Sequence, residues 1–299
     1  MSNCRIGDTI MGSEVDMKHF RQYIVASTEE EAVGLREAVG AKGLYIAGGT
    51  TVVPRAAASV EVLIDITRLG LDGIVADDST VRIGATTRLA DLASADAGNS
   101  LPLLRKAVME CATPLIRNMA TLGGSLATIF LPSDPGLALL ALDAEAEVLT
   151  PDGVQRLKMA DLLKTGWFDP VWLIRRVLVS KQAPGEGSAF LKFGRNSVDI
   201  ALVAVGVRLR LGEGARIESL RIVVGQTSAV PVVVDQVTEK VLGQDFRLEL
   251  AGSVADEVCR AVKARNDFRA SSEFRTHLIK VLVSRGLLQA ALEAGYRDS

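Results

Sequence analysis

The chain has 299 residues, 48% of them hydrophobic and 23% charged, with a formal net charge of −2. That length and apolar content suffice for a full core and for two domains, while the nearly balanced charge and the lack of a basic block give neither a nucleic-acid surface nor a polybasic membrane anchor anything to rest on. Residues 1–16 lack the continuous apolar core of a signal peptide and no run of about 18 apolar residues follows to span a bilayer, so the cytoplasm is the expected location.

Ser27 followed three residues later by Glu30 is read as the N-cap of a helix over about 28–40, with Ala32, Leu35 and Val39 at helical spacing and Gly40 and Gly43 ending it. Leu44–Ala47 and Val62–Ile66 read as buried strands. From Leu71 the texture changes. Ile74–Ala76 and Val81–Ala85 flank the turn cluster Asp77–Thr80 and predict a hairpin. Thr87 is placed to cap a short helix over Leu89 and Leu92, and Pro102 opens another whose stripe is Leu104, Ala107, Val108 and Cys111, which makes Cys111 a core residue. Ser133-Asp134-Pro135 marks a further helix start before the apolar 137–142 run, Glu147–Leu149 with the turn Pro151–Gly153 forms a hairpin edge, and Trp172–Val179 is the last strand of this domain.

Residues 182–188 are small, polar or structure-breaking and lie between two apolar strands, so the domain boundary is set there. Beyond it, Phe190–Phe193, 200–211 and 217–224 read as strands, with a turn at Gly212–Gly214. Helices then cover about 235–242, 250–265 and 272–294, the last with Leu278, Leu282, Leu288 and Leu292 on related faces. Strands followed by helices make an α+β domain. Three widely separated cysteines (Cys4, Cys111, Cys259) and two histidines (His19, His277) offer no disulfide framework, metal-ligand spacing or catalytic triad.

Two stretches stand out. Ala47-Gly48-Gly49-Thr50-Thr51 and Asn118-Met119-Ala120-Thr121-Leu122-Gly123-Gly124-Ser125 each set a glycine pair among small hydroxyl residues, a pattern that bares backbone N–H groups toward an anion no Cβ holds away. One Gly-Gly pair alone is usually a turn. Two in one chain, neither carrying a lysine or arginine among its glycines, make amide dipoles and hydroxyls the expected phosphate donors.

Together with Ile116-Arg117 before the second loop, these motifs resemble the double signature of the FAD-binding medium subunit of molybdenum hydroxylases, the xanthine dehydrogenase and aerobic carbon monoxide dehydrogenase group. Ala189-Phe190-Leu191-Lys192 with Arg195 and Asp199-Ile200-Ala201 is similar to the start of that family's C-terminal domain, and Phe268–Leu278 to its closing helix. The resemblance implies a two-lobed FAD-binding domain of the vanillyl-alcohol-oxidase/PCMH type at 17–181 (lobes about 17–70 and 71–181) after an extension at 1–16. A smaller α+β domain with an antiparallel sheet and helices then follows at 188–297.

It further implies a pyrophosphate on Ala47, Gly48, Gly49, Thr50 and Thr51 and on Thr121, Leu122, Gly123, Gly124 and Ser125, approached by Asn118. Asp134 matches the aspartate near the ribityl and ribose hydroxyls, Lys192 the lysine near the flavin ring, and Leu173 a residue packing by the isoalloxazine. Read without the family, Asp134 is preferred as a helix N-cap, Lys192 is a solvated side chain, and Arg117 and Asn118 are residues that order the loop. Ser125 departs from the family's usual asparagine and loses one amide hydrogen bond, and the segment at 165–170 is shorter than usual. The implied activity is electron transfer from an iron–sulfur small subunit, which serves a molybdopterin large subunit, through FAD to NAD+, a quinone or another acceptor, in a dimer of heterotrimers. The rival reading is a scaffold or regulatory subunit of the same fold that has lost flavin.

Overall fold

The computed structural model describes residues 20–94, 100–127, 133–165, 171–196, 198–228 and 230–297. The 1–16 extension, His19, Cys4 and most of the shortened 165–170 segment lie outside these described residues.

The first lobe runs β1 (Gln22–Val25), α1 (Glu29–Val39), β2 (Gly43–Ile46), α2 (Val52–Arg55) and β3 (Val62–Asp65), with a parallel sheet in the order β1-β3-β2. The N-cap of α1 is Thr28, one residue later than Ser27: its hydroxyl accepts from the Glu31 amide at 3.1 Å while the Glu31 carboxylate accepts from the Ser27 amide at 2.8 Å. Thr28 and Glu31, three apart, thus form a variant of the capping box in which the glutamate accepts from the residue before the N-cap. Gly40, at φ +54, ends the helix. The sequence pattern omits β1, whose residues are mostly exposed and lack a clean alternation.

The second lobe comprises β4 (Ile74–Ala76), β5 (Thr80–Gly84), α3 (Leu89–Ser94), α4 (Pro102–Met109), α5 (Pro114–Arg117), α6 (Leu122–Leu126), α7 (Asp134–Ala141), β6 (Glu145–Thr150), β7 (Gly153–Lys158), α8 (Met159–Thr165) and β8 (Leu173–Ser180). Its sheet is antiparallel in the order β4-β5-β8-β6-β7, so the last strand in sequence enters the middle. Thr87 does not cap α3 through its hydroxyl, which donates to the Gly73 carbonyl at 3.1 Å. Arg175 on β8 ties the lobes together, pairing with Glu29 of α1 and with Glu147 of β6 at 2.8 Å.

The C-terminal part consists of β9 (Glu186–Phe193), β10 (Val203–Leu211), β11 (Ile217–Gly225), β12 (Val232–Val233), α9 (Asp235–Thr238), α10 (Leu248–Ala261) and α11 (Ser272–Glu293), and its sheet is antiparallel. The helix expected over 235–242 is split into α9 and a 3-10 turn at Glu239–Val241. Leu292 is 58% exposed, not on the packed face of α11, which is Leu278, Ile279, Leu282, Val283, Leu287, Ala290 and Ala291.

The sheet is covered on both faces. One carries α10 and α11; the other meets the second lobe, so Phe190, Ala204 and Val223 share a core with Leu104, Leu137 and Val177. Gly206 makes that approach possible, because a Cβ there would stand 2.8 Å from the Ala141 Cβ. The 182–188 stretch is accordingly an ordered turn: Glu186 already lies in β9, accepts from the Ala183 amide at 2.7 Å and pairs with Arg208 at 3.0 Å.

Candidate cofactor site

The first glycine loop leaves β2 at Ile46 and enters α2 after Thr51. The backbone N–H groups of Gly48, Gly49, Thr50 and Thr51 donate to no partner among the described residues, and Thr51, the N-cap of α2, makes no side-chain capping bond. Their carbonyls are turned the other way, those of Gly49 and Thr51 accepting from Val53 and Arg55 at 3.1 and 3.0 Å. Gly49 sits at φ +66, where a Cβ is strained, and a Cβ on Gly48 would overlap the Met119 carbonyl oxygen. Gly48 thereby joins the two loops, with its Cα against the Met119–Ala120 backbone. The result is a half-buried row of unspent donors, the arrangement an anion selects.

The second loop is built differently. Thr113 caps α5 and Arg117 donates to the carbonyls of Cys111 and Ala112, both at 2.9 Å, so Arg117 orders the approach. Asn118 is exposed as the C-cap of α5. Thr121 caps α6, its hydroxyl accepting from the Gly124 amide at 3.2 Å. The Leu122 amide donates to Thr87 O at 2.9 Å, Gly123 to Ala85 O at 2.7 Å and Ser125 to Thr121 O at 2.9 Å, while the Ser125 hydroxyl donates to the same Thr121 carbonyl at 3.0 Å. Where a second amide cradle over Thr121–Ser125 was expected, the amides of Leu122 to Ser125 each donate within the chain. Gly123 is needed for packing, since a Cβ there would lie 2.8 Å from the Ala85 Cβ and 2.9 Å from the Ala85 carbonyl oxygen; only Gly124 is open to solvent.

Asp134 and Lys192, 58 positions apart, meet in a 2.9 Å ion pair with side chains only 10% and 6% exposed. Asp134 is not the N-cap of α7; Ser133 is, accepting from the Gly136 amide at 3.0 Å, which places Asp134 in the first turn. Lys192 is not a solvated side chain either, and its ammonium also donates to the Glu110 carbonyl. Burial pushes the Asp134 carboxyl up against the downward pull of Lys192. Burial, with Asp134 nearby, raises the Cys111 thiol to about 11, so Cys111 is a protonated, partly buried residue packed against the core.

Leu173, expected beside the isoalloxazine, is 1% exposed and lies with Ile64, Ile66 and Leu71 in the first lobe's core cluster. The residues that sequence reasoning missed are backbone ones, the Met119 carbonyl under Gly48 and the Glu110 carbonyl on Lys192, for which side-chain motifs hold no signal. A separate groove of about 740 Å³ lies at the end of the C-terminal part, lined by residues such as Asp245, Arg247 and Tyr296 and by none of the candidate cofactor-binding residues.

Two lobes whose loops touch at Gly48 and Met119, followed by an antiparallel sheet packed back onto the second lobe, give the architecture expected of the two-lobed FAD-binding class. Residues 17–178 match the family described as the FAD binding domain in molybdopterin dehydrogenase, and residues 188–290 match the CO dehydrogenase flavoprotein C-terminal domain. The chain belongs to this family of FAD-binding medium subunits of molybdenum hydroxylases, and its cofactor is FAD.

It is 29% identical over 276 residues to the 6-hydroxypseudooxynicotine dehydrogenase complex subunit alpha of Paenarthrobacter nicotinovorans, covering 90% of this chain and 93% of that one. With the xanthine dehydrogenase FAD-binding subunit of Escherichia coli O157:H7 it shares 28% identity over 93% of this chain and 99% of the other. Its fold superimposes on a chain of the carbon monoxide dehydrogenase of Hydrogenophaga pseudoflava with a TM-score of 0.86 at 27% identity, covering 92% of this chain and 98% of that one. These relatives are subunits of oxidoreductases, and the chain is a component of such an enzyme. Among the described residues no helix is long and apolar enough to cross a membrane and no cluster of metal-ligating side chains occurs.

Proposed function

We propose that this chain is the electron-transfer subunit of a cytoplasmic molybdenum hydroxylase, taking electrons from an iron–sulfur partner subunit and delivering them from FAD to NAD+, a quinone or another carrier, within a dimer of heterotrimers that also contains a molybdopterin subunit. The observation that carries the reading is the row of unspent amides from Gly48 to Thr51, pressed against the second loop with no cationic side chain in the loop. A dianionic pyrophosphate needs many N–H donors, and four unpartnered ones in succession suit it. FAD, when bound, supplies the redox chemistry. The protein contributes the donors of the first loop, the shape given by Gly48 and Gly124, and the exposed Asn118 at the loop mouth; Asp134 and Lys192 stand beside it as an already paired couple.

The visible absorption spectrum of the purified chain, with the heat-released cofactor identified by chromatography, tests this. Stoichiometric FAD, lost in Gly48→Ala, supports it. A folded but colourless protein that takes up no added FAD even with its partner subunits overturns it. That outcome would favour a flavin-free scaffold, the reading to which the committed amides of Leu122–Ser125 and the self-bonded Ser125 hydroxyl lend weight.

A further inference from the structure

We infer that Lys192 and Asp134 form a charge-compensated clamp that docks the C-terminal sheet onto the second lobe beside the cofactor site, so that Lys192 is a positioning residue and not an isolated cation facing the flavin. Only the location beside a flavin rests on the function proposed above; the clamp itself stands on the geometry.

Lys192 lies opposite Ala204 in the β9–β10 ladder, on the face that carries Phe190 and Gly206 toward α4 and α7. There its ammonium is held between two helix ends. The Glu110 carbonyl belongs to the C-cap of α4, the negative end of that helix, and Asp134 lies in the first turn of α7, the positive end. Each charge thus sits at the helix terminus that favours it, in addition to pairing with the other. With both side chains at or below 10% exposure, both charges are largely shielded from water, and an unpaired partner left behind would be a buried, uncompensated ion.

The clamp also has reach. One residue beyond it β9 ends at Phe193, and the chain turns through Arg195, which pairs with Asp199 at 2.7 Å, to Ile200, whose carbonyl accepts from Arg269.

A double-mutant cycle of Lys192→Met, Asp134→Asn and the double variant tests the proposal in the full chain. Two readings are taken on the flavin-free protein: the thermal midpoint, and the rate of trypsin cleavage after Lys181, a bond shielded while the Lys181 and Gln182 amides donate to Ser79 and Ser100. Lys192→Met is expected to lower the midpoint most and to speed cleavage several-fold, and the double variant to lie closer to wild type than Lys192→Met does. Failure of Lys192→Met to fold while the double variant folds supports the clamp equally. Strictly additive effects overturn it.

On the FAD-loaded chain, the reduction potential is expected to fall in Lys192→Met, rise in Asp134→Asn and return to the wild-type value in the double variant. A double variant that keeps the full Lys192→Met shift marks Lys192 as an isolated cation at the ring and overturns the proposal. If no variant or wild-type chain binds FAD, the functional reading fails while the flavin-free cycle still decides the clamp.

Discussion

Gly48-Gly49 and Gly123-Gly124 have similar surroundings in the sequence, each followed by a hydroxyl residue and by apolar positions, yet the first pair keeps its amides unspent and the second commits them to the chain. The difference comes from what lies alongside. Next to the second pair runs the segment that follows β5, whose Ala85 and Thr87 carbonyls reach the Gly123 and Leu122 amides, and Thr121 turns its hydroxyl onto Gly124 as a helix cap. The first pair emerges from the end of a parallel sheet, where the neighbouring strand donates to Ile46 from Ile66 and supplies no carbonyl further on, and Thr51 caps α2 without using its side chain. A glycine pair by itself therefore permits a donor row; the neighbouring backbone determines whether the row stays open.

The largest effect that would separate the loops is expected from Gly48→Ala. Its Cβ has to displace the Met119 backbone, so the joint between loops opens, FAD is lost from the spectrum, and thermal or denaturant unfolding shows a cost of about 3 kcal/mol. Gly123→Ala meets Ala85 less severely, and denaturant unfolding should register about 2 kcal/mol, with FAD retention falling only as far as the fold does. Thr121→Ala removes the α6 cap, which the same titration should show as about 1 kcal/mol.

Gly124→Ala is the sharpest discriminator because it is nearly silent for stability. The site is exposed and a Cβ there meets only the Thr121 hydroxyl, so the change should stay within about 0.5 kcal/mol. Complete loss of FAD in a Gly124→Ala protein of unchanged stability would show the second loop to contact the cofactor as closely as the first, and would break the contrast drawn above.

The smallest effect on FAD content concerns neither loop. Burial raises the Asp267 carboxyl, but the Arg269 and Ala270 amides and the buried Arg275 guanidinium outweigh it and bring the group down to about 2. A carboxyl lowered in the folded state adds stability above its unfolded value, and that stability is lost as pH falls from about 4 to 2. Acid unfolding of Asp267→Asn should therefore lack that component, while its FAD content at pH 7 matches wild type.

Much of the chain was legible without its tertiary structure, for reasons local to each stretch. Caps, hairpin turns and proline-led helices depend on residues within four positions of one another, so α4, the β4–β5 and β6–β7 hairpins and the strand into the first glycine loop could be read directly. The same locality made the glycine pairs visible and made the family resemblance possible, since both are runs of adjacent residues. Where local signals were close to degenerate the reading slipped by one residue, as at Ser27 and Thr28, or missed an element with no amphipathic pattern, as at β1.

What tertiary structure alone decided are the relations between distant residues. The pairing of Asp134 with Lys192 joins positions on two domains, and a lysine on a strand carries no mark of the carboxylate it will meet. Leu173 reads the same whether it faces a ligand or a core, and only the packing of β8 beneath the first lobe sends it inward. The amides of the two loops are chemically identical in the chain; which of them remain free depends on carbonyls brought alongside by strand pairing, a contact that no local pattern encodes.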